Sequence, residues 1–215
     1  MVVVMIDWKQ ERILQEFDRL YPDARCELHY ATPLELLIAV MLSAQTTDAS
    51  VNKVTPALFK TYHSAYDYRE AKQEDLEAII RQIGLYRNKA RNIKKMADVL
   101  CENYGGEVPS SMKELVKLPG VGRKTASVVL GEGFHIPSVP VDTHVERVSK
   151  RLGFAKMDDS VLTVEKKLKR SLPREKWIKL HHQFIFFGRY FCKAQSPQCK
   201  DCQLVDLCKE KNKKL

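Results

Sequence analysis

Four of the six cysteines fall in the last 24 residues: Cys192, Cys199, Cys202 and Cys208, spaced C-x6-C-x2-C-x5-C. Four soft thiolates so close together can converge on one centre, and a structural zinc ion or an iron–sulfur cluster is the usual occupant. The spacing does not choose between them, and a disulfide pair is a third reading. Lys124 is the next residue with chemistry in it. It lies two residues after Gly122 in Leu118-Pro119-Gly120-Val121-Gly122-Arg123-Lys124, where a helix is about to begin. A helix N-terminus carries partial positive charge, so a cation there, beside Arg123, favours the neutral and nucleophilic amine. Asp142, between Val139-Pro140-Val141 and the stripe that starts at Val145, is placed to cap a helix with its carboxylate. Capping would also fix that carboxylate at a helix mouth, where it could serve catalysis.

The elements that must position these groups read almost entirely as helices. Ile13, Leu14, Phe17, Leu20 and Tyr21 form an apolar stripe after Asp7, and Thr32-Pro33-Leu34-Glu35 reads as a capping box opening a run to Leu42. Leu76, Ile79, Ile80 and Ile83 predict a helix stopped by Gly84. Ala90, Ile93, Ala97, Leu100 and Tyr104 predict another, with Arg87, Lys89, Arg91, Lys94 and Lys95 on its outer face and Gly105-Gly106 at its end. Ser111 and Glu114 suggest a second capping box for a short helix ending at Leu118, and a further helix runs from about Gly122 to Leu130. Val141, Val145, Val148 and Leu152 mark one more helix. Trp177, Leu180, Phe184, Phe187 and Phe191 make a last stripe that leads straight into Cys192. No period-two alternation is convincing, so the expected class is all-α.

Between the helices around Leu118 and Lys124, two glycines allow positive φ and close backbone approach, and the second helix presents unpaired N–H groups. That pattern reads as a helix-hairpin-helix, which grips a DNA backbone without reading its sequence. A formal charge of +9 favours a polyanionic partner. The apolar run Met1–Ile6 is too short to span a bilayer and lacks the flanks of a signal peptide, which points to the cytoplasm, where cysteine clusters usually bind metal. No apolar stripe is left over to argue against a monomer. The basic end Lys209–Leu215 reads as a frayed, solvated tail.

Taken in order, Leu118-Pro-Gly-Val-Gly-Arg-Lys124, Val141-Asp142-Thr-His144 and the four-cysteine terminus resemble the endonuclease III class of DNA glycosylases. Ser43-Ala-Gln-Thr-Thr-Asp48 and Ile83-Gly-Leu-Tyr86 fit the same pattern, so the resemblance covers nearly the whole chain. It implies a six-helix barrel over 26–136, with the hairpin at about 111–131, and a discontinuous cluster domain from 1–25 and 137–215, the active site lying between them. It implies a [4Fe–4S] cluster on the four cysteines, Lys124 as nucleophile and Asp142 as catalytic carboxylate. Gln45 and Leu85 would fill the gap left by an extruded nucleotide. Leu118, Gly120, Val121, Gly122 and Lys193 would contact DNA, Lys193 being the sole basic residue between Cys192 and Cys199. The implied activity is excision of oxidised pyrimidines from duplex DNA followed by strand cleavage 3′ to the abasic site.

Two departures stand out: Ser127 where many relatives carry Asn, and Gly131-Glu132-Gly133 as an acidic, flexible close to the hairpin's second helix. Two other readings compete. An adenine-removing mismatch glycosylase would typically lack the Lys124 lysine and carry a further C-terminal domain. A non-catalytic DNA-binding module would combine the hairpin with structural zinc.

Overall fold

The computed structural model describes residues 6–215, and within them only helices and turns occur. The apolar run at Met1–Met5 lies outside the described residues. Helix α1 (Trp8–Leu20) starts at Asp7, whose carboxylate accepts the N–H groups of Lys9 and Gln10 while the Gln10 side chain accepts Asp7 N–H. Ile13, Leu14 and Phe17 form its buried face. The chain then divides into two compact units: Glu27–Ile136, and the segment up to Cys26 joined with Pro137–Leu215.

The continuous unit is built around α2 (Pro33–Leu42), in which every residue from Leu36 to Leu42 is buried. A helix apolar on all sides belongs at the centre of a bundle. The expected capping box is displaced by one residue. Thr32 Oγ1 accepts Glu35 N–H, but the Glu35 carboxylate reaches back to Ala31 N–H at 2.6 Å. Thr47 caps α3 (Asp48–Thr61), and Ser64 with Asp67 forms a reciprocal capping box on α4 (Ala65–Glu70). Helix α5 (Gln73–Ile79) is shorter than its stripe. Ile80 and Ile83 are buried in a turn, closed by Ile83 N–H to Ile80 O, rather than in another helical turn.

Helix α6 (Tyr86–Tyr104) ends at Gly105 and Gly106, both at positive φ. Its polar face departs from the expectation at one residue. Lys89 is only 7% exposed, and its ammonium is turned inward. Helix α7 (Met112–Leu115) has no side-chain cap from Ser111. Glu114 instead accepts from Lys117 Nζ and Tyr104 OH, both at 2.8 Å, charge-assisted bonds that outcompete a capping box. Helix α8 (Arg123–Val128) widens into a π turn over Val129–Gly133. Gly131 is buried there, and a Cβ on Gly133 would lie 3.1 Å from Leu36 Cδ2. The glycine segment is therefore packed on α2 rather than being a flexible close.

The discontinuous unit adds α9 (Thr143–Arg151), α10 (Val161–Ser171) and α11 (Trp177–Phe186) to α1. Phe17 of α1 meets Phe184 edge-on at 4.9 Å and Phe187 at 5.2 Å, and Val145, Val148, Val164 and Leu168 complete the core. Leu204 and Leu207 bury into the same core, so the cysteine-rich end is part of the fold. The final basic segment is not wholly solvated either. Lys209 N–H bonds Arg151 O, and the Glu210 carboxylate pairs with Arg151 Nε at 3.2 Å.

Candidate active site and metal centre

In the continuous unit, Lys124 is the second residue of α8 and is exposed. The turn before it is fixed from inside. Leu118 and Val121 are 2% and 6% exposed, so their side chains anchor the turn in the core and only their backbone is offered outward. Val121 N–H closes on Leu118 O at 3.0 Å, which requires Gly120 at φ +76°. Only Gly120 uses the left-handed region. Gly122, expected to do the same, is extended at φ −85° and faces open space. The N-cap position Gly122 makes no side-chain cap bond to α8.

Two further turns in this unit carry backbone strain. Gln45 sits at φ +54° and Leu85 at φ +61°, conformations uncommon for residues with a Cβ. Both side chains are exposed, Leu85 at 58% despite being apolar. Lys89 connects the two turns. Its N–H bonds Leu85 O at 3.0 Å, and its Nζ donates to Leu42 O at 2.8 Å and Thr46 Oγ1 at 2.7 Å. Burial pushes the Lys89 ammonium below the ordinary lysine range. Sequence reading missed this residue, since a lysine at that spacing is indistinguishable from a solvated one.

In the discontinuous unit, Asp142 caps α9. A single oxygen, Oδ1, accepts His144 N–H at 2.9 Å and Val145 N–H at 2.8 Å, so the cap does not use Oδ2. The helix it opens is held tightly against the π turn at Phe187–Phe191. A Cβ on Gly188 would come within 2.9 Å of His144 Cβ. Arg147, one turn along α9, donates to Gly188 O at 2.7 Å and Cys192 O at 3.3 Å. Arg151, a turn further, donates to Lys193 O and lies 3.4 Å from the Cys192 sulfur. The pair of arginines four residues apart on a helix next to Asp142 was the sequence signal for this brace. Lys193 itself is exposed, its backbone held by Arg151.

Cys192, Cys199, Cys202 and Cys208 line one recess, partly open to solvent, with Phe187, Phe191, Leu152 and Val205. All four are free thiols, so no disulfide joins them. Burial pushes the Cys202 thiol up to about 11, and the charges of Cys192, Cys208 and Cys199 push the same way, against a hydrogen bond from Leu204 N–H. A thiol raised in this manner beside three others suits a cationic inorganic centre, which holds thiols deprotonated. Among the described residues no three His, Cys, Asp or Glu side chains are grouped so as to hold a metal ion. In number, softness and shared recess the four thiols are a donor set that fits such a centre.

Residues 38–174 match the model of the HhH-GPD superfamily base excision DNA repair proteins. Endonuclease III of Bacillus subtilis (strain 168) is 54% identical over 211 residues, covering 98% of this chain and 96% of the relative. Endonuclease III of Escherichia coli (strain K12) is 44% identical over 205 residues, covering 95% and 97%. A solved structure of a trapped endonuclease III–DNA covalent intermediate, in an estranged-adenine complex, superposes with a TM-score of 0.90 at 58% identity, covering 96% of this chain and 97% of that one. The hairpin, the capped aspartate and the four-thiol recess are thus set in a chain that belongs to the HhH-GPD superfamily and, within it, to the endonuclease III family.

Proposed function

We propose that this base-excision repair enzyme removes oxidised pyrimidines from duplex DNA and then cuts the strand 3′ to the abasic site. The observation that carries the proposal is Lys124: an exposed primary amine in the first turn of α8, directly after a turn anchored by Leu118 and Val121. That a DNA covalent intermediate was trapped for a 58% identical endonuclease III supports a nucleophile on the protein.

A damaged base inside the stack is out of reach, so the nucleotide must first leave the duplex, at least cost for a lesion that stacks poorly. The turn at Gly120–Gly122 and the first turn of α8 would hold backbone phosphate, with Lys193 adding a cation. Gln45 and Leu85, exposed on strained turns, would occupy the space the nucleotide vacates. Lys124 Nζ then attacks C1′ of the sugar, and the base departs with the electron pair of its glycosidic bond. The Asp142 carboxylate stabilises positive charge developing on the sugar and accepts the amine proton. Ring opening gives a Schiff base between Nζ and C1′. Loss of a C2′ proton then expels the 3′ phosphate, completing β-elimination.

Cys192, Cys199, Cys202 and Cys208 would hold a [4Fe–4S] cluster, which when bound supplies a structural cross-link to the end of the chain. A cation-rich surface and the absence of any helix long and apolar enough to cross a membrane among the described residues suit a partner in solution, duplex DNA, met by a monomer.

Borohydride reduction of the Schiff base tests the assignment. The protein should form a covalent adduct with a duplex carrying an oxidised pyrimidine, and Lys124→Gln should abolish that adduct while duplex binding persists. An undiminished adduct in the variant would remove Lys124 from its role.

A further inference from the structure

Gln45 and Leu85 lie on different turns, 40 residues apart in sequence, and each holds an unfavourable backbone conformation. An exposed loop left alone would relax from such a conformation. Lys89 joins the two. One turn into α6, its N–H closes on Leu85 O, which fixes Leu85 at the helix mouth. Its side chain crosses to the other turn, where Nζ bonds the last carbonyl of α2, Leu42 O, and the hydroxyl of Thr46, next to Gln45. Thr46 is itself tied within the turn by its N–H to Ser43 O and its hydroxyl to Ala44 O. A lysine with so little exposure normally has a carboxylate partner. Here both recorded acceptors of Nζ are neutral oxygens on the Gln45 side of the fold.

We propose that Lys89 is a positioning residue that locks the Gln45 turn to Leu85, so that the two exposed side chains enter the duplex as one rigid pair. This rests on the reading of Gln45 and Leu85 as the residues that fill the vacated space. Lys89 touches neither substrate nor reacting atoms. It acts by removing the entropy that two independent turns would lose on insertion. Its effect falls on extrusion of the nucleotide and spares the chemistry at Lys124.

The test uses the intact protein and two substrates. One is a duplex with thymine glycol opposite 2-aminopurine, whose fluorescence rises when the lesion leaves the stack. The other is single-stranded DNA with an abasic site, where nothing has to be unpaired. Lys89→Met keeps the unbranched apolar stem out to Cε and removes Nζ with both its bonds. Thr46→Val cuts the tie from Lys89 to the loop, together with the long 3.4 Å bond to Ala44 O, leaves the bond to Leu42 O, and guards against a Lys89 variant that fails to fold. Both should slow extrusion and duplex excision by about 10- to 100-fold, the scale of a small misplacement, while borohydride trapping on the abasic strand changes less than about 2-fold. The double variant should equal the worse single one, because both break the same tie. Wild-type extrusion in both variants would overturn the proposal, as would an equal loss on both substrates, which would mark a general structural defect. Gln45→Ala and Leu85→Ala, run alongside, separate the two ideas. If these are slow in extrusion while the Lys89 and Thr46 variants are normal, only the proposal for Lys89 fails. If all four are normal, the reading of Gln45 and Leu85 fails.

Discussion

On the proposed reading Asp142 carries two functions on one carboxylate, one for each oxygen. Oδ1 accepts both capping N–H groups of α9, which leaves Oδ2 outside the cap. Asparagine caps a helix about as well as aspartate does, but it has no negative charge to set against a sugar cation. Asp142→Asn should therefore shift thermal unfolding by under about 1 kcal/mol and slow single-turnover base excision by about 100-fold or more. Near-normal excision by that variant would leave Asp142 as a cap alone. This residue was legible in the sequence because capping is local: an Asp before an apolar stripe declares itself. Lys89 was not, because its acceptors, Leu42 O and Thr46 Oγ1, are 47 and 43 positions away. Helical spacing put it among solvated cations, and only the packing of α2 against α6 reveals where its ammonium goes.

At the level of elements the stripes located most helices but not α3, α4 or α10, and several ends were misplaced. Ser111 with Glu114 has the spacing of a capping box, yet Glu114 is taken by Lys117 and Tyr104. The π turns after Val128 and Phe186 follow from packing: Gly133 against Leu36, and Gly188 against His144 and Val148. Neither demand is visible in local sequence. The hairpin shows how alike two neighbouring glycines can look and how differently they are used. Gly120 is at φ +76°, and a Cβ there would lie 3.0 Å from Asn92 Cβ and 3.1 Å from Met41 Cε. Gly122 has an ordinary φ and open space around it. Gly120→Ala should thus cost about 1–2 kcal/mol from its dihedral alone, with the contact to Asn92 adding to that. Gly122→Ala should cost under about 1 kcal/mol, the modest loss of a glycine N-cap, while weakening duplex binding where the backbone meets phosphate. Urea unfolding and a binding titration on both variants check the pair. Equal destabilisation by the two substitutions would contradict this division.

For the whole molecule, the question is what secures a C-terminus that has no helix after Phe191. Leu204 and Leu207 reach the core, but the polar ties are modest. Arg12 pairs with Asp206 at 2.6 Å with both side chains near half exposed, a contact of about 0–1 kcal/mol. Arg151 with Glu210 is better shielded and still a single pair. Four thiols share one recess, and burial pushing Cys202 up to about 11 keeps that thiol protonated, so unligated they pack without linking the segments that carry them. Ligation of the proposed cluster would remove the protons and tie Cys192, at the end of α11 and its π turn, to the last loop. Because Arg147 and Arg151 link that same turn to the helix capped by Asp142, the grip would extend along α9. Arg12→Ala should accordingly change stability by under about 1 kcal/mol and leave the C-terminus resistant to protease. Cys202→Ala should lose iron and the broad visible absorbance of a cluster, and trypsin should then cut within the lysine-rich segment after Cys192, while residues 27–136 stay intact. Iron analysis, absorbance and mass spectrometry of the digest report on each part. A Cys202→Ala protein that keeps its iron and a protected C-terminus would show that packing of Leu204 and Leu207 suffices, and that the cluster is not what holds this end of the chain.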